Sequence, residues 1–378
     1  MPRPARLPAY APGSFARFTV ERRLPKILSD VTAQFGGDDP RWAALTAGIV
    51  SGGPLDRSLF SASTPFWAAR LDSLEGGTWA DQPFFDLEFL FYRAINSIAG
   101  DLRPGFDVFA GARRAALIDA LPRVAAALDG PGPLDLAGAL LWSLSGNEED
   151  LSQLARQRAS GRSDRLLVDQ RPALVEQLAA AGPGSVAILA DNAGAELGFD
   201  LLLVDLLLTS ATGRVQLHVK PEPIFVSDAL ASDVDETIDR FAGFGAGTAL
   251  GRAGARLRGA RAGGALEVVA PADWAEPRHM NGLSPALHAS LQGAALVIAK
   301  GDLNYRRFFE DRDWPADTPV AAASVATGLR AFALRVLKSD CLAGLPPFTA
   351  AALFVREPAW RSSGRYAIVQ QVDAAAPG

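Results

Sequence analysis

Residues 185–208 read SVAILADNAGAELGFDLLLVDLLL. The first part, Ser185–Ala190, is a short apolar run rich in β-forming residues, which predicts a buried strand. The second part, Ala195–Leu208, predicts a helix that follows the strand after a short polar turn. A strand followed directly by a helix is the repeating unit of a parallel sheet.

The same alternation continues towards the C-terminus, where β-rich runs precede helical stretches such as Asp233–Arg240. This alternation favours a largely parallel sheet with helices on both faces. The Gly- and Arg-rich stretch Gly243–Gly264 is predicted to be an exposed connection. The further predicted strands are Val215–Val219, Ala295–Ala299, Ala333–Leu337, Ala350–Val355 and Tyr366–Gln371.

The N-terminal part of the chain differs, because apolar residues recur there at spacings of three and four. This spacing predicts helices, with Pro or Gly between them, over Phe15–Phe35, Phe84–Ala99, Ala115–Leu128 and Leu134–Leu144. We therefore predict an α/β fold. A helical N-terminal domain, residues 1–160, would precede an α/β/α sandwich with a mostly parallel sheet, residues 161–378.

The composition narrows the function classes. The chain has 378 residues, and 37 Lys and Arg against 42 Asp and Glu give a net charge of −5, which argues against a nucleic-acid partner. One cysteine and three scattered histidines argue against disulfides and against thiolate or imidazole metal sites. The sequence shows no signal-peptide core and no apolar run near the ~18 residues of a membrane span. We expect a cytoplasmic protein with no membrane partner.

Ligands of open parallel sheets bind beyond the carboxyl ends of the strands, so the residues after each predicted strand are candidates for a site. Asp191 and Asn192 follow one predicted strand, and Asp228 lies beyond the next. Two carboxylates and an amide carbonyl are hard oxygen ligands that suit Mg²⁺ or Mn²⁺. Glu196 lies four residues after Asn192, on the same face of the predicted helix. The pattern predicts a divalent metal site.

Cationic residues are predicted at the same edge of the sheet. The chain has only four lysines, and all but Lys26 fall at or near strand ends: Lys220, Lys300 and Lys338. Arginine readily replaces a solvated lysine, so a retained lysine indicates a need for a compact ammonium group. Together with Arg306, these residues could neutralise phosphate oxygens, and a divalent ion polarises a phosphoryl group and activates water. The combination indicates phosphoryl chemistry.

Each feature also has a purely structural interpretation. An Asp-Asn pair after a strand caps a helix, Gly301-Asp302 forms a turn, and Asp228 begins a solvated acidic segment. Asp200 is interpreted as a structural or helix-surface residue. Glu88 could approach the site, but we interpret it as the partner of a nearby arginine. We favour the metal and phosphate interpretation because the features fall together at one edge.

Three runs carry a resemblance to a known family. They are Asp191-Asn192-Ala193-Gly194-Ala195-Glu196, Phe225-Val226-Ser227-Asp228 and Lys300-Gly301-Asp302-Leu303-Asn304-Tyr305-Arg306. They resemble the signatures of the metal-dependent damage-control phosphatases, in the branch that includes the acidic residue methyltransferase-like proteins. Further similar landmarks are Ser14-Phe15-Ala16, Arg23-Leu24-Pro25, residues 79–93, Gly146-Asn147, Asp150-Leu151-Ser152 and Gly364-Arg365-Tyr366-Ala367.

The resemblance implies roles for individual residues. Asp191, Asn192 and Asp228 match the family's catalytic metal ligands, and the implied ion is Mn²⁺ or Ni²⁺, with Co²⁺ or Mg²⁺ as alternatives. The residues that match the family's phosphosubstrate contacts are Asp302, Leu303, Asn304, Tyr305, Arg306 and Lys338. We add Glu196 and Lys300 to this substrate-binding set.

Two further features of the resemblance concern specificity. Glu196 and Asp228 match positions assigned to S-adenosylmethionine in this branch. The branch's Arg-Thr-x-Lys motif reads Arg335-Val336-Leu337-Lys338 here, so the threonine hydroxyl is missing while Lys338 is retained. The implied fold, a helical N-terminal domain on an α/β/α sandwich, agrees with the fold predicted from the residues.

Three hypotheses of function follow. The leading one is hydrolysis of a small phosphorylated metabolite of the fructose 1-phosphate or fructose 6-phosphate type, with either water or an aspartate as nucleophile. The second is S-adenosylmethionine-dependent methylation of glutamate carboxyl groups in proteins. The absence of a glycine-rich loop after a predicted strand argues against it. The third is a non-catalytic sugar-phosphate sensor.

Overall fold

The computed structural model describes residues 2–129, 132–146, 165–180, 182 and 184–372. The family landmarks Asn147 and Asp150–Ser152 lie outside these residues. The helices that precede the sheet in the chain are α1 (Phe15–Phe18), α2 (Leu24–Thr32), α3 (Pro40–Ser51), α4 (Pro65–Asp72), α5 (Phe84–Leu102), α6 (Ala110–Leu128) and α7 (Leu136–Ser145). A π-helical turn, Thr19–Arg23, joins α1 to α2. The single helix predicted over Phe15–Phe35 is therefore divided.

The rest of the chain alternates between strands and helices. The strands are β1 (Leu166–Asp169), β2 (Ser185–Leu189), β3 (Arg214–His218), β4 (Leu266–Val269), β5 (Leu296–Lys300), β6 (Ala331–Val336) and β7 (Ala367–Gln371). The helices are α8 (Arg171–Ala180), α9 (Ala195–Ser210), α10 (Ala231–Ala242), α11 (Ala249–Ala262), α12 (Pro285–Gln292), α13 (Gly301–Phe308), α14 (Val320–Ala323) and α15 (Thr349–Arg356).

Within the described residues, seven strands form one sheet in the order β1-β7-β6-β5-β2-β3-β4. Neighbouring strands pair in parallel except β6 and β7, which are antiparallel. From β2 the chain moves outward through β3 and β4 on one side and resumes at β5 on the other side. This reversal leaves a crevice beyond the carboxyl ends of β2 and β5, where open α/β sheets bind ligands. The predicted α/β class is confirmed.

The sheet separates two hydrophobic cores. Side chains alternate along a strand, so Ala187 and Leu189 of β2 face one core while Val186 and Ile188 face the other. The first core contains the buried apolar residues of positions 7–109, and the second contains those of α6 to α11. Helices from the N-terminal part thus pack on both faces of the sheet, and the domain division at residue 160 stays a prediction. No helix in the described part of the chain is both long and apolar enough to cross a membrane.

Two sequence predictions were wrong. The predicted strand Ala350–Val355 lies in helix α15, because its three alanines favour a helix and only Leu353 of these residues is buried. The predicted connection Gly243–Gly264 contains helix α11. Close packing requires glycine at Gly254, where a Cβ would lie 2.2 Å from the backbone nitrogen of Ala242 in α10. Strands β1 and β4, of four residues each, were missed.

Candidate active site

A cavity of about 230 Å³ opens at the crevice between the ends of β2 and β5. We call it the switch-point cavity, and its walls include Glu88, Asp191, Asn192, Asp228, Asp302 and Lys338. Distant parts of the sequence contribute these residues, since Glu88 belongs to α5 while Asp302 belongs to α13. Most of the strand-end residues predicted from the sequence therefore meet at one place, whereas Lys220 and Lys300 do not line the cavity.

A backbone bridge brings the three proposed metal ligands together. Asn192 and Asp228 form an isolated antiparallel bridge, which joins the segment after β2 to the segment after β3. The Ala193 N–H donates to the Ser227 carbonyl at 2.7 Å, and the Ala229 N–H donates to the Asp191 carbonyl at 2.9 Å. These bonds fix Asp191, Asn192 and Asp228 on one wall of the cavity.

Side-chain hydrogen bonds orient the Asn192 amide. Ser227 Oγ donates to Asn192 Oδ1 at 2.5 Å. Asn192 Nδ2 donates to Asp191 Oδ2 and to Glu196 Oε2, each at 2.9 Å. The amide nitrogen therefore lies between two carboxylates, as its two N–H donors require.

The site concentrates buried negative charge. Burial, reinforced by the carboxylates of Glu196 and Asp228, raises the pKa of Asp191 well above its usual range. Burial also raises the pKa of Asp228, although Lys220 Nζ lies 3.3 Å from its Oδ2 and opposes the shift. Burial lowers the pKa of Lys220, whose ammonium also donates to the Trp274 carbonyl at 3.2 Å. A cation placed between Asp191 and Asp228 would relieve their repulsion.

Two observations fit a divalent cation here. Asp228 Oδ2 is buried and accepts no hydrogen bond of good geometry from the described residues, despite the nearby Lys220 ammonium. Gly301 has a positive φ of 80°, and a Cβ there would lie 1.9 Å from Asp191 Oδ2, so only glycine leaves room for that carboxylate. Within the described residues, no group of three or more His, Cys, Asp or Glu side chains is placed so that it could hold a metal ion. An ion at this place would therefore depend on the Asn192 carbonyl as well.

Lys300, which the sequence placed among the substrate contacts, lies beneath the cavity. It ends β5 and is fully buried. Its Nζ lies 2.9 Å from both Glu196 Oε1 and Asp200 Oδ1, and it donates to the Ser143 carbonyl at 2.8 Å. Burial alone would lower the pKa of Lys300, but the two carboxylates raise it above its ordinary value. Lys300 therefore supports the wall that carries Glu196, and Asp200 has the structural role predicted for it.

The proposed substrate run on α13 divides into two faces. Asp302, Leu303 and Arg306 line the cavity, as their spacing on one helix face requires. Asn304 and Tyr305 point inward: Asn304 Nδ2 donates to the Lys300 carbonyl at 2.9 Å, and the Tyr305 hydroxyl donates to the Ala343 carbonyl at 3.3 Å. These two residues fasten α13 to the sheet and do not line the cavity.

The charged residues of the rim are held by partners. Arg306 donates hydrogen bonds to Asp311 and Glu88, at 2.7 Å each. Glu88 therefore both lines the cavity and pairs with an arginine. Asp302 accepts a hydrogen bond from Arg335 at 2.8 Å. Lys338 also lines the cavity, and its charge lowers the pKa of Asp191, against the larger effect of burial.

Sequence reasoning missed several residues of the cavity wall. These are Phe15, Arg23, Ile27, Tyr92, Leu144, Phe225, Val226, Ser227, Gly301 and Leu334. Val336, which replaces the threonine of the family motif, also lines the cavity. The N-terminal ones come from helices whose apolar spacing gave no sign of a site. Only the family landmarks, which include Phe15, Arg23 and residues 79–93 with Tyr92, could have indicated some of them.

Comparison with known proteins places the chain in a family. The profile of the Damage-control phosphatase ARMT1-like domain matches residues 19–353. The chain is 26% identical to Damage-control phosphatase ARMT1 of Xenopus laevis, over 97% of this chain and 98% of the relative. It is 27% identical to the Macaca fascicularis protein of the same name, over 97% and 98%.

The fold has a counterpart among solved structures. The crystal structure of a DUF89 family protein from Pyrococcus horikoshii superposes with a TM-score of 0.53 and 14% sequence identity, covering 94% of this chain and 96% of that one. This likeness concerns the fold alone. The profile match covers most of the sequence and confirms the resemblance seen in its motifs, so the chain belongs to the family of ARMT1-like damage-control phosphatases.

Proposed function

We propose that this protein is a metal-dependent phosphomonoesterase that hydrolyses small sugar phosphates of the fructose 1-phosphate or fructose 6-phosphate type. The observation that carries the proposal is the bridge between Asn192 and Asp228, because it brings two carboxylates and an amide to one cavity wall. At about 230 Å³ the cavity is suited to a small metabolite. Membership of a phosphatase family supports the reaction type.

Asp191, Asn192 and Asp228 would hold the divalent ion, for which Mn²⁺ or Ni²⁺ is proposed. When bound, such an ion polarises a phosphoryl group and favours attack by water at neutral pH. Lys338 supplies a positive charge to the phosphate oxygens. The Asp302 carboxylate, fixed by Arg335, can accept a hydrogen bond from a sugar hydroxyl.

A phosphatase screen tests this proposal. We expect the purified protein to release phosphate from one or more sugar phosphates when Mn²⁺ or Ni²⁺ is added, and to lose that activity after treatment with a chelator. Co²⁺ and Mg²⁺ are included to rank the metals. Turnover that survives complete metal removal would contradict the metal-dependent mechanism. Tight binding of sugar phosphates without any turnover would favour the sensor hypothesis.

Binding of S-adenosylmethionine distinguishes the methyltransferase hypothesis from the phosphatase proposal. Both Glu196 oxygens already accept hydrogen bonds, Oε1 from Lys300 and Oε2 from Asn192. These bonds fix the orientation of the carboxylate towards the protein, so it is not free to turn both oxygens towards the ribose hydroxyls of a nucleoside. We therefore expect no heat of binding when S-adenosylmethionine is titrated into the protein by calorimetry, whereas a clear signal without metal would favour methylation.

Gly301→Ala is expected to abolish Mn²⁺ binding, because the new Cβ would displace the Asp191 carboxylate. Gly105→Ala is the matched control: Gly105 has a similar φ of 75° but no atom within 4 Å of the added Cβ. Both variants should lose about 1–2 kcal/mol of stability through the left-handed backbone. Calorimetric Mn²⁺ titration should separate them, and equal Mn²⁺ affinity in the two variants would contradict the role assigned to Gly301.

A further inference from the structure

Arg23 reaches the switch-point cavity from the N-terminal helices. It ends the π-helical turn Thr19–Arg23, which interrupts the helical segment between α1 and α2. Turns of this kind inside helices are frequently found at functional sites. The Arg23 guanidinium lies over the Phe15 ring, with 5.6 Å between Cζ and the ring centroid, and both residues line the cavity.

The guanidinium of Arg23 is available for a ligand in a way that Arg306 is not. The Nε and Nη atoms of Arg306 are engaged by Asp311 and Glu88. Arg23 is exposed, and none of its nitrogens forms an ion pair or hydrogen bond with the described residues. A planar guanidinium that forms no ion pair within the described part of the chain is well suited to bind phosphate oxygens.

The charge of the cavity wall gives Arg23 its importance. Three cationic side chains line the cavity: Arg23, Arg306 and Lys338. Five carboxylates line it as well: Glu88, Asp191, Glu196, Asp228 and Asp302. The lining side chains thus carry two more negative than positive charges, an excess that a divalent ion would offset. Removing Arg23 would therefore weaken the attraction of the cavity for a phosphate dianion.

We propose that Arg23 is a substrate-binding residue that contacts the phosphate group from the N-terminal helices, in the cavity that Asp191 and Asp228 also line. The inference rests on the proposed function, since it assigns the phosphate subsite of the same cavity. The helical N-terminal segment then completes the site, because the α/β part of the chain supplies the metal ligands and the π-helical turn supplies a phosphate contact.

Binding of inorganic phosphate in the presence of Mn²⁺ tests this assignment by calorimetry. We expect Arg23→Ala and Arg23→Gln to weaken phosphate binding about ten- to a hundredfold, as the loss of a hydrogen bond between charged groups predicts. Arg23→Lys should retain part of the affinity. Arg22→Ala is the matched control, because Arg22 is also exposed in the same π-helical turn but does not line the cavity. Mn²⁺ affinity should stay unchanged in all four variants.

The outcomes separate this inference from the proposed function. If Arg23→Ala and Arg23→Gln bind phosphate with wild-type affinity, the role assigned to Arg23 is overturned. The same holds if these variants bind unphosphorylated fructose more weakly while their phosphate binding is intact. A wild-type protein that binds no phosphate in the presence of Mn²⁺ would also overturn it. Turnover of sugar phosphates by the same wild-type sample reports independently on the proposed function.

Discussion

Asp191→Asn is expected to abolish metal-dependent phosphatase activity and, at neutral pH, to raise the thermal stability of the metal-free protein. The carboxylate is buried beside Glu196 and Asp228, and this environment raises its pKa. An ionised Asp191 is therefore unfavourable in the folded state, and the neutral amide removes that cost. The loss of a direct ligand should weaken metal binding by more than the roughly 10–100-fold that outer-shell substitutions cost.

The stability gain of Asp191→Asn is expected to depend on pH. Because the pKa of Asp191 is raised in the folded state, its contribution to stability is present at low pH and is lost as the pH rises through the folded-state pKa. The stability gain of Asp191→Asn should therefore be largest near neutral pH and shrink towards about pH 4, where both side chains are neutral.

Thermal unfolding of the metal-free protein, with and without added Mn²⁺, measures both effects. Wild type should gain stability from Mn²⁺ and Asp191→Asn should not. Asp30→Asn is the control, because Asp30 is exposed and lies outside the cavity. Metal-dependent turnover by Asp191→Asn at the wild-type rate would show that Asp191 is not a ligand.

Lys300→Met is expected to cost about 3–5 kcal/mol of folding stability, the loss typical of removing one partner from a buried ion pair. The substitution keeps the length of the side chain but leaves the carboxylates of Glu196 and Asp200 without their shared cation. Burial already raises the pKa of Asp200 to about 6 with Lys300 present, so the unpaired carboxyl would be protonated more readily still.

Urea unfolding of Lys300→Met and Lys26→Met provides a matched comparison. Lys26 pairs with Asp30 at 3.1 Å, but their side chains are 76% and 63% exposed. An exposed pair of this kind contributes roughly 0.3–0.5 kcal/mol. Adding Asp200→Asn to Lys300→Met should recover part of the lost stability. Equal unfolding midpoints for the two methionine variants would refute the buried network.

The wall that carries the proposed metal ligands Asp191, Asn192 and Asp228 was predictable, because the sequence pattern that indicates it is local. A strand that ends in Asp191 and Asn192 before a helix reveals both the element and the polar residues at its end. Parallel strands direct their carboxyl ends to one edge, so Asp228 was expected near them, and the Asn192–Asp228 bridge agrees with this expectation. The amino-acid sequence also shows the family, through its motifs.

Residue patterns did not predict which way each side chain points. Lys300 and Arg306 lie six residues apart in one motif, yet Lys300 is buried against Glu196 whereas Arg306 lines the cavity. The difference follows from the strand-to-helix transition at Gly301, where β5 ends and α13 begins. The apolar residues Phe354 and Val355 suggested a strand where the structure has helix α15. A helix forms there because only one face, with Leu353, is buried.

By itself, the sequence determined the α/β class and the candidate metal ligands, and its few lysines drew attention to Lys220, Lys300 and Lys338. These features follow from strand and helix periodicity and from residue chemistry, which are local properties. Only the tertiary structure decided that Lys300 supports the wall from below and that Arg23 and Glu88 complete the cavity from the N-terminal helices. Those relations join residues more than a hundred positions apart. They arise because burying apolar surface on both faces of the sheet brings α5 and the π-helical turn against its carboxyl edge.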